Sequence, residues 1–205
     1  MTAAELYALL VLATATSFTP GPNTTLSTAL AANRGLRGAL HFVLAVPVGW
    51  GLLFTLCAVG LGSLVMAVPV LRGLIVGGGV AYLLWLATRL WRSGQMTATD
   101  GLRMDVTFVQ GVLLQFLNIK AWMLALAIVA GWIAGREDAA ERTWVLLPIM
   151  VAYGFVSNLT YAVAGSMLRH WLAHGRRLLV FNRCMAVALL ATVAWVLNGL
   201  HQSAA

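Results

Sequence analysis

The sequence predicts an all-α integral membrane protein with six transmembrane helices, arranged as two inverted three-helix repeats. Hydrophobic residues make up 61% of the 205 residues and charged residues only 9%, whereas charged residues make up about 25% of soluble domains. Long charge-free stretches recur along the chain. In each half, polar or helix-breaking residues interrupt one such stretch near its middle. We therefore expect helices 1 and 4 to be broken or kinked near mid-membrane.

The composition excludes a water-soluble enzyme or a nucleic-acid-binding protein, because so few charged side chains cannot cover the surface of a soluble fold of this size. The net charge of +7 comes from basic residues that are spread between apolar segments, as in the cytoplasmic loops of membrane proteins. The lipid bilayer is therefore the expected partner, and nucleic acid is not. Cys57 and Cys184 lie in separate apolar segments and indicate neither a disulfide scaffold nor a metal cluster.

Six stretches are long enough to cross a bilayer, which requires about 20 mostly apolar residues. They cover residues 6–32, 39–65, 71–90, 107–133, 144–168 and 178–200. The third is short, and we expect Arg72 and Arg89 to extend their side chains towards the membrane surfaces. The first lacks the basic segment that begins a cleavable signal peptide, so we interpret it as a membrane helix.

The distribution of arginines predicts the orientation. The first, third and fifth loops carry nine of them: Arg34, Arg37, Arg89, Arg92, Arg103, Arg169, Arg176, Arg177 and Arg183. The opposite side carries three: Arg72, Arg136 and Arg142. Because cytoplasmic loops are enriched in basic residues, we expect a multi-pass protein of the bacterial inner membrane with both termini outside the cytoplasm.

The chain divides into two halves, residues 1–100 and 101–205, with three predicted helices each. An odd number of spans turns the second half upside down relative to the first, which is the geometry of an inverted repeat. The interruptions also correspond, because residues 17–23 interrupt the first predicted helix and residues 115–121 the fourth. We expect one membrane domain built from these two repeats.

The first interruption contains Pro20-Gly21-Pro22. Two prolines remove two backbone donors, and each ring clashes with the preceding turn. We therefore expect an unwound segment, with Pro22 starting a second half-helix and Thr19 and Asn23 beside the gap. The alternative is a simple kink. In hydrocarbon, the freed carbonyl groups need partners in the protein or in a wet cavity.

The second interruption contains Asn118 and Lys120, which are costly residues at mid-membrane and therefore functional candidates. Ile119 between them does not break a helix. The alternative is a continuous helix from which Lys120 extends towards the membrane surface.

These residues carry a family resemblance. Pro20-Gly21-Pro22-Asn23 resembles the Pro-Gly-Pro signature of the LysE/RhtB amino-acid exporters, and Asn118-Ile119-Lys120-Ala121-Trp122 resembles that family's Asn-Pro-Lys-Ala-Trp segment. Residues 34–38, 79–86, 108–117 and 182–183 are also similar to it. Ile119 replaces the family's proline, and Met185-Ala186 stands near the position of a family glycine. The resemblance implies export of amino acids or their derivatives from the bacterial cytoplasm, driven by the proton gradient, by a protein that can form homodimers.

The chemistry of the spans favours a neutral zwitterionic substrate. The predicted spans contain no Asp or Glu, and Lys120 is their one formal interior charge. A carboxylate group can bind Lys120 and the positive N-terminal ends of half-helices. An ammonium group can bind neutral oxygen atoms. Lys120 is also the candidate proton carrier. The candidate substrate-binding residues are Thr19, Pro20, Gly21, Pro22, Asn23, Asn118, Lys120, Tyr153 and Asn158.

Several alternatives remain open at this stage. Four polar residues lie at helical spacings on the fifth predicted helix and either line one face of the cavity or hold helices together: Tyr153, Ser157, Asn158 and Tyr161. The same two interpretations apply to Gln110 and Gln115. Efflux of a metal ion or another small solute would favour carboxylate, His or Cys ligands, of which the spans offer few. A structural membrane subunit would need neither interruption. We expect no enzyme activity, because no nucleophile–base pair occurs in the spans, and no cofactor or bound metal.

Overall fold

The computed structural model describes residues 1–93 and 106–202, and their secondary structure is entirely helical. The helices are α1 (Ala3–Phe18), α2 (Pro22–Ala58), α3 (Leu61–Ala67), α4 (Pro69–Arg92), α5 (Phe108–Leu117), α6 (Ile119–Ile128), α7 (Ala139–Leu172) and α8 (Arg177–Gln202), with a π-helical turn, Val129–Ile133, after α6. The predicted repeat boundary and the predicted loop residue Arg103 lie outside the described residues.

Within that part of the chain, four helices are long and apolar enough to cross a membrane: α2, α4, α7 and α8. The pair formed by α5 and the segment Ile119–Ile133 is bent by 67° and becomes a fifth candidate if it is counted as one span. The shorter apolar helix α1 has 16 residues. These helices are those of an all-α membrane protein, and the number of six spans stays a prediction.

Helix α2 combines the end of the first predicted span with the start of the second. Its 37 residues would extend about 55 Å as one straight helix, well beyond the roughly 30 Å hydrocarbon core of a bilayer. Gly35 interrupts it with φ 78° and ψ 170°, a conformation that residues with a Cβ atom rarely adopt. Residues 22–34 and 36–58 are therefore two helical pieces.

The second predicted span ends earlier than expected. We expected it to continue to residue 65, but the helix ends at Ala58, and α3 follows as a separate short helix. Gly60 between them adopts a left-handed conformation with φ 89°. The apolar composition of this stretch contains no signal for that conformation.

Two hydrophobic clusters hold the helices together. One is centred on α2, α4, α5, α7 and α8, with Phe42 and Leu86 among its fully buried residues. The other joins α1, α2, α6 and α7 around Phe54 and Ile128. The chain leaves the helical conformation at the ends of α1 and α5, and side chains contact the freed carbonyl groups there.

Candidate functional site

The first helix is broken at the two prolines. Helix α1 ends at Phe18, and α2 starts at Pro22. Thr19 is extended with φ −72° and ψ 128°, and Gly21 is extended with φ −169° and ψ −175°. The segment is unwound over these residues, as the two prolines predict, and is not a simple kink.

Two side chains from other helices satisfy carbonyl groups that this break frees. The hydroxyl group of Tyr161 on α7 donates to the carbonyl oxygen of Phe18 at 2.8 Å. The ammonium group of Lys120 on α6 donates to the carbonyl oxygen of Thr19 at 3.0 Å. In an apolar medium these groups need protein partners, and the fold supplies them from the second half of the chain.

The fourth helix is also broken, although Ile119 stands where a proline would enforce a break. Asn118 has φ −91° and ψ 101°, which ends α5, and its side-chain oxygen accepts from the backbone N–H of Lys120 at 3.2 Å to cap α6. Asn is among the strongest N-cap residues, so the capping bond replaces the effect of proline. The Nε1–H group of Trp122 donates to the freed carbonyl oxygen of Phe116 at 2.8 Å. The continuous-helix alternative is therefore wrong.

Lys120 joins the two breaks. Besides its bond to Thr19, its side chain passes close to Gly21, where a Cβ atom would lie 3.4 Å from Nζ. The residues that line the cavities around Lys120 include no Asp or Glu. Within the described chain, no three His, Cys, Asp or Glu side chains are grouped closely enough to hold a metal ion.

Asn23 lies at the start of α2 and forms a reciprocal amide pair with Gln115 of α5. Asn23 Nδ2 donates to Gln115 Oε1 at 2.8 Å, and Gln115 Nε2 donates to Asn23 Oδ1 at 3.2 Å. Gln115 is fully buried and also donates to the carbonyl oxygen of Gly111. The sequence left open whether Gln115 lines the cavity or holds helices together, because a lone glutamine in an apolar stretch does not reveal a partner 92 positions away.

Asn158 and Tyr153, the two predicted site residues of α7, occupy different places. Asn158 is buried near the break, where its Oδ1 accepts from Ser27 at 2.9 Å. The Tyr153 hydroxyl group accepts instead from Thr14 of α1 at 3.2 Å, and Tyr153 does not line either cavity described below. Tyr161, which the sequence places on the same helix as a residue that either lines the cavity or holds helices together, contacts the break directly.

Two cavities adjoin the breaks and share Thr19, Gly21, Pro22, Asn118 and Lys120 in their walls. The smaller, about 80 Å³, extends towards α7. Its further lining includes Trp50, Met150, Ser157 and Asn158. The larger, about 420 Å³, extends towards α4 and α8 and is mainly apolar. Of the nine predicted site residues, all except Tyr153 line at least one of the two cavities.

A model of the LysE type translocator family matches residues 14–198, which include both breaks. The chain belongs to this family. This LysE type translocator is therefore a membrane transport protein and not an enzyme. It is 29% identical over 181 residues to a cysteine/O-acetylserine efflux protein of Klebsiella pneumoniae, covering 87% of this chain and 91% of that protein. It is 27% identical over 165 residues to the protein of the same name from Escherichia coli K12, covering 80% of this chain and 84% of that protein. No solved structure matches it significantly.

One end of the translocator is tied by ion pairs, at the start of α7. The guanidinium group of Arg142, whose side chain is 8% exposed, contacts Glu5 at 3.2 Å and Asp138 at 2.7 Å. Arg136 also contacts Glu5 at 3.3 Å. Trp132 Nε1 donates to the carbonyl oxygen of Glu5 at 3.0 Å. We call these residues the charged cluster.

Hydrogen bonds and charges in this cluster lower the pKa values of Asp138 and Glu5. The side-chain hydrogen bond from Arg142 holds the pKa of Asp138 below its usual value. The pKa of Glu5 is lowered by its hydrogen bond with the Thr2 backbone and then by Arg142. Both carboxylates therefore remain charged at neutral pH, which keeps the start of α1 bound to the start of α7.

Elsewhere in the translocator, neutral amide groups join α2 to α8. Asn33 Nδ2 donates to Asn182 Oδ1 at 2.8 Å, and Asn182 Nδ2 donates in return at 3.0 Å. Asn182 is fully buried and contacts the carbonyl oxygen of Ser93 at 3.4 Å. This amide pair joins the regions where α2, α4 and α8 approach one another.

Proposed function

We propose that this translocator exports neutral, zwitterionic amino acids or close derivatives from the cytoplasm. The observation that carries the proposal is the position of Lys120, an ammonium group without an acidic neighbour, between two helix breaks. The names of the two relatives, cysteine/O-acetylserine efflux proteins, support a substrate of this class. Both of those compounds carry a carboxylate and an ammonium group, and neither has a net side-chain charge.

The carboxylate of the substrate binds Lys120 in this proposal. Because a charged acceptor forms a stronger hydrogen bond than a neutral carbonyl oxygen, a carboxylate competes effectively with Thr19 for the ammonium group. A second cation would be repelled here, which disfavours lysine or arginine as substrates. The proposed binding residues are those predicted residues that line the cavities: Thr19, Pro20, Gly21, Pro22, Asn23, Asn118, Lys120 and Asn158. Tyr153 lines neither cavity and is not among them.

The ammonium group of the substrate binds oxygen atoms in the smaller cavity. Ser157 and Asn158 supply side-chain oxygens there, together with Thr16 and Thr24. Asn158 Oδ1 already accepts one hydrogen bond, and an amide oxygen has a second lone pair to offer. The amides of Asn23 and Gln115 bond each other, so they position the helices around the substrate.

Two inverted repeats of three spans each, residues 1–100 and 101–205, form the transport unit. Both broken helices begin with the same kind of cap, in which Thr2 pairs with Glu5 and Thr107 pairs with Gln110. The proposed orientation places the basic loops in the cytoplasm and both termini outside the inner membrane. The proposed assembly is a homodimer.

The proton gradient drives export in this proposal, with Lys120 as the proton carrier. An efflux screen tests the function directly. Cells that carry the protein are preloaded with dipeptides of neutral, acidic or basic residues, and the appearance of free amino acids outside is measured with and without a protonophore. Export of neutral amino acids that the protonophore stops supports the proposal. Export of only charged amino acids, or of none, contradicts it.

A further inference from the structure

The larger cavity differs from the smaller one in size and chemistry. Its volume of about 420 Å³ lies within the range of small-molecule sites, roughly 300–1,000 Å³. Its polar groups lie at the helix breaks, at Thr19, Asn118 and Lys120, and in the two threonines Thr25 and Thr192. The remaining wall consists mainly of Leu83, Leu114, Ala188, Ala191, Trp195 and Val196. The cavity therefore suits a ligand with an anionic head and an apolar body.

Small residues of α8 leave this space open. Ala188 and Ala191 line the cavity opposite the breaks, whereas Leu83 of α4 and Leu114 of α5 are buried in its other walls. A larger side chain at either alanine position would occupy the volume next to Lys120. The size of residues on α8 thus sets the size of the group that the cavity can hold.

We infer that the larger cavity is the side-chain subsite of the transported amino acid, that it takes a bulky aliphatic side chain, and that Ala188 limits the size of that side chain. This inference rests on the proposed function. The carboxylate binds Lys120 in the wall that both cavities share, the ammonium group faces the oxygens of the smaller cavity, and the side chain enters the larger one. The lining contains no Asp or Glu, so a cationic side chain finds no counter-charge there.

The affinity should rise with the apolar volume of the substrate. Each buried methylene group is worth about fourfold in an equilibrium constant. Leucine has three more carbon atoms than alanine. Even if these carbon atoms are only partly buried, we expect the half-saturating concentration of leucine to be at least about tenfold lower than that of alanine.

Transport by the purified full-length protein in liposomes tests the inference, with radiolabelled alanine and leucine in counterflow. Ala188→Leu should raise the half-saturating concentration of leucine at least about tenfold and change that of alanine less than about threefold. Ala194→Leu is the matched control, because Ala194 is exposed on the same helix and lines neither cavity. If Ala188→Leu does not insert, Ala191→Met tests the same wall.

The outcomes separate the two proposals. Equal affinity of the wild-type protein for alanine and leucine overturns the inference and leaves the proposed function intact. A wild-type preference for leucine that neither α8 substitution changes also overturns it. Transport of neither amino acid contradicts the proposed function itself, and the inference fails with it.

Discussion

Lys120 Nζ lies 3.0 Å from the carbonyl oxygen of Thr19, so the only lysine in the chain joins the break of one helix to the break of another. The two residues are 101 positions apart and belong to different halves of the sequence. This one contact supplies a partner to a freed carbonyl group and places a positive charge beside two cavities.

Replacing Lys120 with Met removes that charge and retains most of the side-chain length. We expect efflux of zwitterionic amino acids to fall at least about tenfold, equivalent to ~1.4 kcal/mol, with unchanged amounts of protein in the membrane. Lys120→Arg should also be impaired, because a planar guanidinium group does not replace a compact ammonium group. Arg72→Met is the control, since Arg72 is exposed on α4. Normal efflux by the Met variant would contradict a substrate-binding role for Lys120.

Replacing Pro20 and Pro22 together with Ala should favour a continuous helix. Each proline disfavours a helix interior by about 3 kcal/mol relative to alanine, so the double variant removes the main cause of the break. We expect it to insert normally and to lose efflux. Pro69→Ala is the control, because Pro69 lies in the first turn of α4, where proline is well tolerated. Efflux at the wild-type rate would show that the unwound segment is dispensable.

Tyr161→Phe tests the second partner of the first break. It deletes the donor to the Phe18 carbonyl oxygen, and a backbone carbonyl group in hydrocarbon is costly without a partner. We expect a lower midpoint of thermal unfolding in detergent and slower efflux. Tyr153→Phe should have a smaller effect, because it removes one contact between two hydroxyl groups at 3.2 Å, and the Thr14 hydroxyl group keeps its bond to the carbonyl oxygen of Leu10 at 2.7 Å. Equal effects of the two substitutions would contradict this prediction.

Acid should weaken the charged cluster. Because the pKa values of Glu5 and Asp138 are lowered in the folded protein, their stabilising effect is complete above the ordinary carboxyl values of roughly 4 and is lost as the pH falls through the lower folded-state values. We expect Arg142→Met to lower the unfolding midpoint at pH 7 and to reduce the further drop on acidification. Arg136→Met should do little, since its partly exposed ion pair contributes weakly. An unchanged acid-induced drop in the Arg142 variant would show that other groups cause it.

Reporter fusions test the orientation. A reporter that is active only outside the cytoplasm should be active when it follows α8 and inactive when it is inserted between α7 and α8, near Gly175. The physical reason is the excess of arginines in the loops that we assign to the cytoplasm. The opposite pattern would reverse the orientation, and equal activity at both sites would contradict a crossing by α8.

The sequence predicts the two breaks with different success. Pro20 and Pro22 act through their own ring geometry, so the first break follows from local chemistry. The second depends on a capping bond of Asn118, which competes with the helical tendency of Ile119. Sequence reasoning therefore identified the region but left the break open to an alternative.

The partners of the breaks were harder to predict. The donation by Tyr161 to Phe18 and the pairing of Asn23 with Gln115 join residues 143 and 92 positions apart. Tertiary packing decides such pairs, and a single sequence contains no signal for them. The early end of the second predicted span has a different cause, since the positive φ of Gly60 is a backbone property that hydropathy does not reveal.

The ion pairs at the start of α7 and the amide pair between α2 and α8 respond differently to added salt. Added salt screens the ion pairs of Glu5, Asp138 and Arg142, whereas the amide pair of Asn33 and Asn182 carries no net charge for salt to screen. High ionic strength therefore weakens the contact between α1 and α7 and leaves the amide pair between α2 and α8 intact. The salt concentration of the medium is thus a means of loosening the packing of α1 against α7.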